Sequence, residues 1–171
     1  MTAEEALRLI RLPHPASTEP QTWADLGAGQ GLFSQALLRQ LPANSQVYAV
    51  DRDTTPPKSP GIVPQIMNFV TEEWPFPPLN GILMANSLHF VQDQHAFLRR
   101  AAKHLLPGGI LLFVEYDTDT PNPWVPFPLS FSTLQALLRD LGLHPLQKIH
   151  TMPSKFGRAQ LYSAWHEYAR Q

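Results

Sequence analysis

Apolar residues recur along this chain at two different spacings, and the alternation between them lays out the elements. Thr2 and Glu5 have the spacing of a capping box, and Ala6, Leu7, Leu9 and Ile10 follow, which predicts a short helix over 3–11. Pro13, Pro15 and Pro20 then keep 13–20 extended. Residues 22–26 read as a short strand that runs straight into Gly27-Ala28-Gly29-Gln30-Gly31. Leu32, Phe33, Ala36, Leu37, Leu38 and Leu41 recur at helical spacing, so 31–41 is an amphipathic helix ended by Pro42. A second strand, 46–50, closes on Asp51. Pro56, Pro57, Pro60 and Gly61 make 52–63 unfit for a helix. A weaker third strand covers 63–70, and a fourth apolar run includes 82–85.

Asp93 is placed to cap a helix reaching Leu105 or Leu106, with Phe97, Leu98, Ala101 and Leu105 as its inner stripe. Pro107-Gly108-Gly109 reads as a tight stop and turn, and 110–114 is a continuous apolar run suited to a buried central strand. Ser132 and Gln135 repeat the capping-box spacing, predicting a helix to about Leu141 with Gly142 as its left-handed cap. Residues 143–151 and 159–168 close the chain as two strand-like segments. Strands alternating with helices predict an α/β fold around a mostly parallel sheet. No repeat or internal boundary interrupts the pattern, so 1–171 reads as one domain, with 1–21 a helical and extended lead-in.

Composition narrows the chemistry. Lys plus Arg is 13 and Asp plus Glu is 14, a net charge of −1 that argues against holding nucleic acid through a basic field. The cysteine count is zero, which excludes disulfide frameworks, zinc–cysteine sites and thiol nucleophiles and fits a cytoplasmic setting. No apolar run approaches the roughly 18–20 residues of a membrane span, and the first residues lack a signal-peptide pattern. His144, His150 and His166 have no metal-ligand spacing, so no metal site is expected.

The segment 25–31 carries the candidate site. Its glycines allow a tight strand-to-helix turn with backbone open to a ligand. Counted from Gly27, the sixth position is Leu32 rather than glycine, which weakens a nicotinamide-dinucleotide reading, and no Gly-Lys-Ser/Thr follows to make a phosphate loop. Asp51 ends the next strand, where a carboxylate can accept both hydrogen bonds of a ribose diol. Either feature alone is an ordinary turn or cap; together they point to a nucleoside ligand.

With these motifs in order, the chain resembles the class I S-adenosylmethionine-dependent methyltransferases of the small Rossmann-like kind. Residues 25–31 are similar to that family's first motif, and Ala49-Val50-Asp51-Arg52 to its ribose-binding motif. Residues 80–91 resemble its fourth-strand motif in small-molecule and quinone-type members, and 105–111 the turn into its fifth strand. The resemblance implies a three-layer sandwich around a seven-stranded, mostly parallel sheet with the last strand antiparallel. It also implies S-adenosylmethionine as cofactor. Gly27, Ala28 and Gly29, with Gly31 closing the turn, would pass beneath its methionine part. Asp25 would hold the loop or reach the ammonium through water. Asp51 would take the ribose hydroxyls with Arg52 beside the adenine, and Asn86 would offer its backbone carbonyl near the ammonium and the methyl. Two departures stand out. Where the family often places Asp after the third strand, this chain offers Asn68 beside Phe69, an uncharged acceptor for the adenine amine. The helix usual between the second and third strands is expected to be absent, leaving that side of the pocket thinly covered.

The implied activity is methyl transfer to an unidentified small or medium-sized acceptor. His89, just past the fourth strand, is the candidate general base for a hydroxyl acceptor, or else packs the start of the next helix. Tyr116 and Asp117 end the fifth strand on the same side, and Trp124 and Phe127 follow in a loop that could line a pocket. Only about 20 residues precede Trp23, so the acceptor side is expected to be open, covered by a partner subunit, or built for a bulky substrate. Two alternatives stay open on the residues alone: a non-catalytic binding subunit of the same fold, and an NAD-dependent oxidoreductase. Nothing in the sequence indicates the oligomeric state.

Overall fold

Alternate residues of each strand fall on opposite faces of one sheet, and different helices cover the two faces. The computed structural model describes residues 1–12, 18–56, 58–154 and 159–169. Its strands are β1 (Thr22–Leu26), β2 (Gln46–Asp51), β3 (Ile62–Ile66), β4 (Leu79–Ala85), β5 (Leu105–Tyr116), β6 (Gln147–Pro153) and β7 (Gln160–Tyr168). Its helices are α1 (Ala3–Leu9), α2 (Leu32–Leu38), α3 (Gln94–Ala102) and α4 (Phe131–Asp140), with one 3-10 turn at Leu88–Phe90.

The sheet order is β3-β2-β1-β4-β5-β7-β6. β1 pairs in parallel with β2 and β4, β2 with β3, and β4 with β5. β7 is antiparallel to both β5 and β6, so it lies between them and leaves β6 at the edge. Leu9 of α1 and Phe33 and Leu37 of α2 pack with Trp23, Val47, Ala49, Leu83 and Leu112 on one face. Phe97 and Leu98 of α3 and Leu134 and Leu138 of α4 pack with Ala24, Val50, Ile82, Met84 and Phe113 on the other. This is the three-layer α/β sandwich with one antiparallel strand. The winding reverses between β1 and β4, which opens a crevice beyond their carboxyl ends.

The capping box forms as read: Thr2 Oγ1 accepts from the Glu5 amide at 3.1 Å and Glu5 Oε2 from the Thr2 nitrogen at 2.7 Å. The extended reading of 13–20 falls mostly on residues outside the described ones. Other boundaries move for identifiable reasons. α2 stops at Leu38 because the next amides bond three residues back, Gln40 to Leu37 and Leu41 to Leu38, before Pro42. β3 starts at Ile62 and stops at Ile66, short of 70, because Asn68 Oδ1 accepts from the Val70 amide at 3.0 Å and turns the chain out of the sheet. α4 is capped by Ser130, not Ser132: its hydroxyl accepts from Thr133, while the Asp117 carboxylate takes the Phe131 amide at 2.8 Å.

The Pro107-Gly108-Gly109 segment is not a free turn. α3 ends at Ala102, and β5 already begins at Leu105, which pairs with Leu79; the next pair is Gly81 with Ile110. Residues 106–108 are therefore an exposed bulge within β5. The final strands start later than 143 and run to Pro153 and Tyr168. Between Asp51 and Ile62 no helix forms among the described residues, as the prolines require. None of the described helices is long and apolar enough to cross a membrane.

Candidate active site

The crevice is built where β1 and β2 deliver their last residues side by side. Val50 O accepts from both the Gly27 and Ala28 amides at 2.8 Å, and the Gly31 amide returns to Ala28 O at 2.8 Å. The loop is thus folded on itself and pinned to β2. Gly29, at φ +53°, donates its amide to Asp51 Oδ2 at 2.9 Å, and a Cβ on Gly29 would meet nothing within 4 Å. One face of the loop is open, and the carboxylate at the end of β2 stands beside it.

Gly27 is required for a different reason. At φ +84°, a Cβ there would come within 2.4 Å of Ser87 Cβ. Ser87 follows β4, and its hydroxyl donates to Leu26 O at 2.5 Å. The close approach of β1 and β4 therefore needs a residue without a side chain. Phe69 packs against the same place, 3.7 Å from that Cβ position, and its ring meets Phe97 edge-on at 5.8 Å. Phe69 belongs to the wall of the loop, and Asn68 beside it uses its side-chain oxygen on Val70.

Asp51 is already engaged. Oδ1 accepts from the Asp53 and Thr54 amides, both at 2.9 Å, in addition to the Gly29 contact on Oδ2. A carboxylate offers about four lone-pair sites, so about one remains on Oδ2 for a ligand hydroxyl. Arg52 is turned to the surface, where it forms a two-pronged pair with Asp53 at 2.8–3.1 Å. Pro56 is buried, 3.3 Å from where a Cβ on Gly31 would sit, so the chain between β2 and β3 packs on the loop without a helix.

Asp25 is fully buried under the loop. Burial pushes its carboxyl up to about 7, against the Ser34 hydroxyl that donates to Oδ2 at 2.6 Å, and the Asp51 charge raises it further. Its Oδ1 has no partner. Asn86 follows β4 at φ +55°, its amide donates to Val114 O at 2.7 Å, and its side-chain oxygen is also buried without a partner.

Beyond Asn86 lies a cavity of about 240 Å³ lined by Met1, Glu5, Leu32, Phe33, Asn86, Tyr116, Met152, Pro153, Ser154 and Leu161. Of the residues read as acceptor-side, Tyr116 lines it. Asp117 instead starts α4, and Trp124 is 83 % exposed. His89 is buried behind the wall: its Nδ1 lies 2.6 Å from Glu115 Oε2 and its ring centroid 6.0 Å from that of Tyr116. Glu115 Oε1 also accepts from the Ser87 and Leu88 amides at 3.1 and 2.8 Å. Sequence reasoning missed Glu115, Ser34 and Ser87. For Glu115 the available signal was a carboxylate closing the apolar run 110–114, where a sheet core leaves no water to solvate it. Among the described residues no group of His, Asp and Glu is arranged to hold a metal.

The sequence profile of a family described as methyltransferase domain matches residues 2–168. The chain belongs to the methyltransferase-domain family. Solved structures agree at the level of fold. An arsenic(III) S-adenosylmethionine methyltransferase from Chlamydomonas reinhardtii superposes with a TM-score of 0.69 at 15 % identity, over 98 % of this chain and 73 % of that one. Human N-acetylserotonin methyltransferase, in complex with S-adenosylmethionine, gives 0.68 at 16 % identity, over 98 % of this chain and 52 % of the human one. The Bacillus YcgJ protein gives 0.69 at 13 % identity and is matched over 98 % of its length. Comparison with curated protein sequences finds no match. This methyltransferase is an S-adenosylmethionine-dependent enzyme of the class I fold. Its crevice fits the cofactor in three respects: the open face over Gly29, a free lone pair on Asp51, and the unpartnered Asp25 Oδ1 beneath.

Proposed function

We propose that this methyltransferase holds its cofactor over Gly27, Ala28, Gly29 and Gly31, with Asp51 on the ribose, and transfers the methyl to a small or medium-sized acceptor at the cavity beyond Asn86. The observation that carries the reading is the Gly29 amide on Asp51 Oδ2, which couples the open loop to the carboxylate at the neighbouring strand end. When bound over the glycine loop and Asp51, S-adenosylmethionine would supply an electrophilic methyl to an acceptor lone pair, the carbon–sulfur pair being left on sulfur. The protein's part is positioning and exclusion of water. Asp25 supports the loop from below and offers Oδ1 toward an ammonium through water. Asn86, held by Val114, sets the boundary between cofactor and acceptor. Asn68 and Phe69 flank the adenine side, and Arg52 lies at its rim.

For a hydroxyl acceptor, His89 is the proposed base. Glu115 supports this role: an ionised carboxylate accepts only, so the proton of a neutral imidazole sits on Nδ1 and Nε2 carries the basic lone pair. The acceptor then has to reach past Tyr116.

The test is calorimetry and thermal unfolding with S-adenosylhomocysteine, S-adenosylmethionine and NAD. At 100 times its dissociation constant, a ligand of the folded state adds about 2.7 kcal/mol. The adenosyl ligands are expected to stabilise and NAD is not. Asp51→Ala is expected to weaken S-adenosylhomocysteine about 10-fold or more, since a hydrogen bond to a charged group contributes roughly 1.5–3 kcal/mol. Equal affinity for wild type and variant would remove Asp51 from the site. Stabilisation by NAD alone would overturn the reading.

A further inference from the structure

The cavity beyond β4 and β5 has a chemical character of its own. Its walls come from separate parts of the chain: Leu32 and Phe33 directly after the glycine loop, Tyr116 at the end of β5, and Met152 and Leu161 from the β6–β7 pair. No Lys, Arg or His side chain lines it among the described residues. Its one acidic side chain, Glu5, is tied to the Thr2 nitrogen in the α1 cap. Burial, and then the neighbouring Glu115 charge, raise the Tyr116 phenol above its ordinary range, so that group stays neutral. At about 240 Å³ the space lies below the roughly 300–1,000 Å³ of ordinary ligand pockets.

An anion entering this space would leave water and meet no cationic side chain among these, and a cation would meet only Glu5, whose Oε2 already accepts from the Thr2 nitrogen, so either charge is costly there. A flat apolar molecule would bury its surface against Leu32, Phe33, Met152 and Leu161 at a gain of roughly 25 cal/mol per Å². We propose that the acceptor of this methyltransferase is a compact, uncharged, mostly apolar molecule carrying a single nucleophilic group. The inference rests on the assignment of the glycine loop to the cofactor, because Leu32 and Phe33 join the cavity to that loop.

The experiment uses the full chain with S-adenosylhomocysteine present and two probes of matched shape, neutral naphthol and anionic naphthoate. Naphthol is expected to bind about 10-fold or more tightly than naphthoate. Met152→Trp, which fills the space from a half-buried position, is expected to abolish naphthol binding while S-adenosylhomocysteine still binds. Leu32→Trp gives the same readout if the first variant does not fold. Met152→Arg is expected to reverse the preference toward naphthoate. Equal or tighter binding of naphthoate to the wild type, or naphthol binding that survives both tryptophan variants, would overturn the inference and leave the cofactor assignment standing. Loss of S-adenosylhomocysteine binding in the wild type, with the naphthol preference intact, would overturn the cofactor assignment instead.

Discussion

Single residues here carry charge states that local sequence does not dictate. The Asp25 carboxyl, ordinarily near 3.8 in water, is pushed up to about 7 when folded, chiefly because burial removes its solvation. Between those values the folded state binds a proton that the unfolded state has released, so stability falls as pH rises from about 4 to about 7 and then levels off. The expected result is that Asp25→Asn removes this slope, read as the difference between variant and wild type in urea unfolding at pH 5 and pH 8. Taking the difference matters because burial lowers His104 and His166, whose neutral forms favour folding in the opposite sense as pH rises. His89 gives a second test. In a folded His89→Ala protein assayed with a hydroxyl acceptor, turnover is expected to drop about 10²–10⁴-fold with cofactor affinity unchanged. Undiminished turnover with a lowered melting temperature would assign His89 to packing against Glu115. The positions of Gly29, Asp51 and Asn86 were legible because each stands at a strand end marked by its apolar run. Glu115 and Ser34 were not, since their roles depend on partners 26 and 9 residues away.

At the scale of elements, the chain between β2 and β3 is distinctive in forming no helix among its described residues. Prolines remove helical hydrogen bonds there, and the sheet-type contacts of its described residues come late in the segment, the isolated bridge of Ser59 with Ile62 and the Val47 amide on Gly61 O at 2.8 Å. Pro56 nevertheless packs at Gly31, and Asp51 Oδ1 holds the Asp53 and Thr54 amides, so the segment is tied at its start and against the loop. Amide exchange is therefore expected to be fast at Arg52, Thr55 and Lys58, which are exposed, and slow at Gly29, whose amide Asp51 holds. Fast exchange at Gly29 in the free protein would show that the loop is not preformed. Caps were read well where the box is self-contained, as at Thr2 and Glu5. They were misread at α4, where Asp117 from the end of β5 takes the Phe131 amide and starts the helix one residue before Ser132.

For the whole molecule, the decisive contact is central. Trp23 of β1 lies across Gly81 of β4 so closely that a Cβ there would fall within 2.2 Å of the ring. Trp23 is 1 % exposed and its Nε1 donates to Gln21 Oε1 at 2.8 Å, so the ring has little room to retreat. Gly81→Ala is expected to cost about 1–3 kcal/mol in chemical unfolding, by overpacking. The loss should leave S-adenosylhomocysteine affinity of the folded fraction unchanged. An unaffected midpoint would mean the sheet can spread at this point. The sequence alone determined which segments are strands and helices, since spacings of two and 3.6 residues and the turn residues between them are local properties. It also marked the glycine loop and Asp51 as candidate ligand groups, because each follows the end of a strand; that the two strands pair came from the sheet. Only the tertiary structure decided that β7 enters between β5 and β6, that Glu115 meets His89, and that a mostly apolar cavity lies beyond Asn86. Those outcomes come from pairing and burial between distant segments, and the desolvation that shapes their chemistry exists only once the layers have closed.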